Sequence, residues 1–151
     1  MRASGIVAYT YFGIPTFCAS LCWAIDNRLV RIGLPAVCMA FFIAHPIGFY
    51  AAPYAFYWLI PIACAFAHKE NKFLTALSST FVAHGVGSVL HLYFINPMTS
   101  SAWLALIPVV AVERLVLALG MYIAYGLVSW ALVTASLALQ QKFQQCPTAT
   151  D

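Results

Sequence analysis

Apolar residues run through this chain in long blocks parted by short polar breaks, not in the period-2 or period-3.6 stripes of half-buried strands and surface helices. The first block occupies roughly 5–25 and closes at "DNRLVR" (26–31); the second covers about 32–52, with Pro35 near its start and His45–Pro46 expected to kink it. A third, shorter block follows the turn "AAPYA" and reaches His68, with Pro61 in its middle. The polar loop "KENK" fills 69–72, and a fourth block covers 73–95 before the turn "NPMTSS" at 96–101. Blocks of about 20 residues match a hydrocarbon core of roughly 30 Å, and a chain crossing it must satisfy its own backbone hydrogen bonds, which favours helices. The expected fold is therefore all-α: a polytopic integral membrane helix bundle formed by 1–151 as a single domain, with 140–151 as a short polar tail. Ten-residue segments of alternating hydrophobicity are absent, which argues against a barrel.

The last block is the ambiguous one. Ala102 to Leu139 is 38 residues, too long for one span at about 1.5 Å per residue unless it tilts steeply or projects into water. Charge chooses between the divisions, because cytoplasmic loops collect Lys and Arg. Arg28 and Arg31 follow the first block, Lys69 and Lys72 the third, and Lys142 the last, whereas the connections near 51–53 and 96–101 carry none. Sides alternate correctly if the N-terminus is outside and the C-terminus inside, which requires an odd number of spans. The expectation is five spans, with 102–112 a short interfacial or re-entrant helix broken at Pro108 and 115–139 the fifth span. Six spans, with a turn near Gly120, is the rival division; it would bury Glu113 and Arg114 halfway across.

Composition sharpens this picture. The 151 residues are 64% hydrophobic and 7% charged, with a mean hydropathy of +0.89, far from the usual soluble domain. The lipid bilayer is the first expected partner, and a cell membrane the expected location. Met1–Arg2 before an apolar run raises the question of a signal peptide, but "PTFCASLCWA" is a poor cleavage site, so the first block reads as a retained span. The net charge of +3 is dispersed with no basic stripe, so no nucleic-acid partner is expected. Cys18, Cys22, Cys38 and Cys64 fall within apolar blocks and read as small buried hydrophobes. Tyr9, Tyr11, Tyr50, Tyr54, Tyr57, Trp58, Tyr93 and Trp103 would gather near the outer headgroup level, with Trp23 and Trp130 nearer the inner one.

Most of the polar chemistry falls in the outer half. At helical rise His45 lies about 20 Å above the inner start of its span and His91 about 27 Å above that of its own. His84 is nearer mid-depth, and Asn96, Glu113 and Arg114 are at or beyond the outer end. His84 and His91 are seven apart and share a helix face with Thr80 and Ser88, while Gly85 and Gly87 permit close approach. Glu113 and Arg114, adjacent in "IPVVAVERLVLALG", point about 100° apart on a helix, so each is expected to face water or a partner from another element rather than the other. Ionisable groups within a membrane mark functional sites by default, though at a boundary an Arg snorkels and a Glu caps.

His45, His84, Ser88, His91, Asn96, Glu113 and Arg114 are thus the candidate substrate-binding or proton-relay residues. No catalytic residue is assigned. His84, His91 and His45 are also the ligand set if a metal or haem is bound, although the sequence requires no cofactor. As a third role, each histidine could bond a neighbouring helix and hold the bundle together. The sequence carries no HExxH, GxGxxG or P-loop and no carboxylate pair for hydrolysis.

The leading expectation is a solute-binding or transport component with a site for a small polar or aromatic molecule near the outer side, any ATP coupling coming from an energising partner. In size, hydrophobicity and site location the chain resembles the small substrate-capture subunits of energy-coupling-factor vitamin transporters, although no diagnostic motif matches and those subunits ordinarily have six helices. Two other classes stay open. One is an accessory or anchoring subunit of a larger membrane complex, for which the small-residue pairs Ala40–Ala44, Ala63–Ala67 and Ala131–Ala135 would supply contact faces. The other is a membrane enzyme using histidine and Glu113 on a lipid-like substrate.

Overall fold

The computed structural model describes residues 2–25, 27–66, 71–95 and 98–144. These form α1 (Arg2–Ala24), α2 (Arg28–Ala44), α3 (Pro46–Tyr50), α4 (Ala52–Ala55), a 3-10 turn (Phe56–Trp58), α5 (Leu59–Phe66), α6 (Lys72–Phe94), α7 (Ser100–Ala105) and α8 (Ile107–Gln144). The fold is all-α, with no strand among the described residues. Two stretches, Lys72–Phe94 and Ile107–Gln141, are long and apolar enough to cross a membrane by length and composition; Gly13–Ala24, Leu29–Ala44 and Ala52–Phe66 are apolar but shorter.

Local chemistry fixes the breaks. Asn27 caps α2 by accepting from the Leu29 amide at 2.8 Å, and Asn71 caps α6 by accepting from Phe73 and Leu74. α2 stops at His45, whose extended backbone is the conformation that a following proline imposes. Pro46 then opens α3, and His45 Nδ1 accepts from the Ile47 amide at 3.2 Å. The expected kink at His45–Pro46 is thus a full break between two helices.

α6 is the hub, flanked by α1, α2, α5 and α8. Side-chain contacts give the directions. Trp23 near the end of α1 donates to Ser79 Oγ near the start of α6, so the two run antiparallel. Tyr93 near the end of α6 donates to the Phe41 carbonyl near the end of α2, so those run parallel. The 52–66 segment returns antiparallel, with Tyr54 against His84 and Tyr57 against Phe81. α8 is also antiparallel, its Arg114 reaching Thr80, its Tyr122 meeting Phe73, and its Tyr125 lying 5.7 Å beneath the Lys72 ammonium.

The core is aromatic and gathered from four segments. Phe42 packs edge-on to Trp58 and Trp103, each at 5.2 Å between ring centres, and Tyr54 lies 4.9 Å from Trp103. Such rings bury large apolar areas and favour these tilted geometries. Trp103, Tyr54 and Trp58 are therefore core residues: they are 3%, 1% and 0% exposed. Tyr50, Tyr93 and Trp130 are exposed.

Beyond α6 the chain folds back into the bundle. Thr99 caps α7 by accepting from the Ala102 amide, and Ser100 Oγ donates to the Ile47 carbonyl at 3.0 Å, which inserts Trp103 into the aromatic cluster. The short helix expected at 102–112 is displaced toward the N-terminus. It covers Ser100–Ala105, and 107–112 belong to α8. The reason is Pro108, which occupies the first turn of α8, where its missing N–H costs no hydrogen bond, so it starts a helix there instead of breaking one.

α8 continues for 38 residues without interruption, straight through Gly120, where the six-span division would need a turn. Because Tyr125 is level with the first residue of α6, the helix runs on past the bundle for residues 126–144, on the order of 28 Å at helical rise. The start of the expected polar tail is thus helical through Gln144, and 145–151 lie outside the described residues.

Candidate functional site

One face of α6 supplies the floor of a polar cleft. Ala83, His84, Gly87, Ser88 and His91 recur at helical spacing and line a cavity of about 370 Å³. Its walls come from Pro15 and Thr16 of α1, Tyr54 of α4, Met98, Trp103 of α7, Leu106 and Arg114 of α8. Gly87 faces the Pro15 ring of α1, where an added Cβ would make an ordinary contact at 3.8 Å.

Tyr54 and His84 form the best-defined polar contact, a 2.6 Å hydrogen bond between the phenol oxygen and Nε2. The Ser88 hydroxyl is 3.4 Å from the same phenol oxygen. The chain Ser88–Tyr54–His84 therefore ties α4 to two successive turns of α6. His91 stands edge-on to Trp103, with ring centres 5.8 Å apart. The Trp103 indole N–H is buried with no hydrogen-bond partner.

Arg114 closes the cleft on the α8 side. One terminal nitrogen donates to the Thr80 carbonyl at a long 3.4 Å, the other lies 3.0 Å from Glu113 Oε2, and Nε is buried with no partner. The expectation that Glu113 and Arg114 would not pair is corrected here. The arginine side chain is long enough to span the angular gap between neighbours, so it holds Glu113 while its head also reaches α6. The two residues differ in setting: the Arg114 side chain is 15% exposed and that of Glu113 is 52% exposed. Glu113 does not line the cleft. Arg114 lies against Thr80, the ninth residue of α6, so it is placed well inside that helix's length rather than at its end.

Four of the seven candidates, His84, Ser88, His91 and Arg114, therefore meet around one cavity. Glu113 touches it only through Arg114. His45 is elsewhere, capping α3 with its ring edge-on to Tyr93. Asn96 lies outside the described residues. Glu113 and the histidines are not brought together as an acid–base pair. As for a metal or haem, His84 and His91 share the cleft without His45, and no group of three or more His, Cys, Asp or Glu is close enough to hold a metal among the described residues.

Tyr54 and Trp103 are the site residues that the sequence reading missed. The signal for each was an aromatic at a block boundary, which suits a headgroup-facing ring as well as a folded-back one.

A second cavity of about 540 Å³ lies along α6 toward its N-terminal end. Thr16, Ala83 and Arg114 line both cavities. The lower one is otherwise mostly apolar, with Trp23, Leu117, Met121 and Tyr125 in its walls. No protein-family model, curated protein or solved structure matches the chain.

Proposed function

We propose that the chain is a multi-pass membrane protein of five spans that binds a small polar or aromatic solute in this cleft, acting as the solute-binding or transport component of its system. The observation that carries the reading is the cleft itself: a partly paired, largely buried guanidinium, two histidines, a serine and a tyrosine line one cavity between helices. Intramembrane polar groups are costly and are retained where they bind or relay something. The spans are α1, α2, the 52–66 segment, α6 and α8, with α7 re-entrant. A membrane setting is favoured by α8, because only 6% of its most apolar window is buried inside the protein. A water-soluble fold would hide such a surface. The start of α2 with Arg31 and the start of α6 with Lys72 lie at one end of the bundle, which as the cytoplasmic end puts the N-terminus outside.

Native mass spectrometry of protein gently extracted from its source membrane tests the reading. A reproducible small-molecule adduct is expected. Absence of any adduct from folded protein would remove the solute-binding assignment.

A second reading, an accessory or anchoring subunit, is favoured by the overhang of α8. Its apolar stretch 115–139 is offset along the bundle from α6, so residues 126–139 have lipid or a neighbouring subunit, not this bundle, as their surroundings. In the same spectra that role predicts recovery with other polypeptides and no adduct.

A further inference from the structure

We infer that the ligand of the cleft carries a carboxylate and that Arg114 is its counter-ion. This rests on the solute-binding reading and names the class of solute. Arg114 brings a fixed positive charge to the cavity lining. Its guanidinium is donor-only, whereas the Ser88, Tyr54 and Thr16 hydroxyls both donate and accept. No carboxylate lines the cavity among the described residues. A wall with a guanidinium and no carboxylate suits an anionic group better than a cationic one.

The guanidinium is also incompletely used. Glu113 engages one terminal nitrogen, the Thr80 carbonyl only weakly engages the other, and Nε engages neither. Guanidinium and carboxylate match as a planar fork, in bonds roughly twice as strong as neutral ones. Because the charge of Arg114 already faces Glu113 at 3.0 Å, a monoanion leaves less uncompensated negative charge at the site than a phosphate dianion would. The volume, about 370 Å³, is at the lower end of small-molecule sites.

Arg114 stands at the waist where the two cavities meet. A carboxylate bound there can extend its body either way: upward against Trp103 and Leu106, or downward along Trp23, Leu117 and Met121. The first fits a soluble aromatic acid and the second a fatty acid, with the same anchoring chemistry.

The test uses full-length protein in lipid nanodiscs and three matched acid and amide pairs: phenylacetate, 3-phenylpropionate and octanoate, each against its carboxamide. At least one acid is expected to bind about 10- to 100-fold more tightly than its amide, the range for losing a charged hydrogen bond. That preference should vanish in Arg114→Gln and survive in part in Arg114→Lys, with folding of both variants checked by far-UV circular dichroism. Preference for octanoate marks the fatty acid source, and preference for a phenyl acid marks the soluble one. Amides binding as well as acids, or an acid preference that persists in Arg114→Gln, would overturn the inference and leave the solute-binding reading intact. If no acid binds but the extracted protein carries a mass adduct, the inference alone falls; with neither, both fall.

Discussion

Replacing Gly85 with alanine probes a close approach of α6 to the 56–58 turn, and the structure gives both its sign and its size. An added Cβ would stand 2.9 Å from Trp58 Nε1, 3.1 Å from Cδ1 and 3.3 Å from Cε2, inside the roughly 3.5–4.0 Å at which such atoms attract. Trp58 cannot yield easily: it is fully buried, and its ring is braced edge-on by Phe42. Overpacking of this kind costs about 1–3 kcal/mol. Against it stands the helix-propensity gain of alanine over glycine, roughly 0.8–1.0 kcal/mol. Gly120 isolates the gain, because it is also interior to a helix and has nothing within 4 Å of its added Cβ. Gly85→Ala should therefore be less stable than Gly120→Ala by about 1–3 kcal/mol, the propensity term cancelling between them. Unfolding by SDS titration, followed by tryptophan fluorescence, reads the difference. Equal stability of the two variants, or a more stable Gly85→Ala, would refute the packing of α6 on the 56–58 turn.

Tyr54→Phe keeps the core filled but strips His84 of its partner, and should cost about 1–3 kcal/mol in the same titration. In intact cells, Thr99→Cys should react with a membrane-impermeant maleimide applied outside, while Asn71→Cys should react only after permeabilisation; the reverse pattern would invert the proposed orientation, and equal labelling would sink the multi-pass reading. Pro46→Ala should let α2 and α3 merge, moving the Ile47 carbonyl away from Ser100, so α7 should become more open to proteolysis. If the overhang of α8 meets a neighbouring subunit, Ala131→Trp should reduce recovery of associated polypeptides without altering cleft binding.

The helical class was legible because the apolar blocks are long and their boundaries carry caps and prolines that act locally. Asn27 and Asn71 cap the helices that follow them, and His45–Pro46, expected to kink one helix, separates two. The 102–112 region was harder, because Pro108 reads equally as a breaker and as a first-turn residue. What decides is the insertion of Trp103 among Phe42 and Tyr54, a contact between distant segments with no local signature. The site divided in the same way. His84, Ser88 and His91 share a face by spacing alone, so α6 displayed that part in its sequence. The partnership of Arg114 with Thr80, and of Tyr54 with His84, depends on which helices are neighbours. Periodicity carries no information about that. His45 shows the converse error: similar depth along two helices does not bring two side chains to the same cavity.

The most direct test of the account is the adduct occupancy of wild-type protein beside Arg114→Gln, both gently extracted from the same membrane and measured by native mass spectrometry. The account predicts a small-molecule adduct on the wild type that is lost or reduced at least about 10-fold in the variant, with both proteins folded. An adduct of equal occupancy in the two would contradict it, because the guanidinium at the waist of the cleft would then have no part in holding the solute.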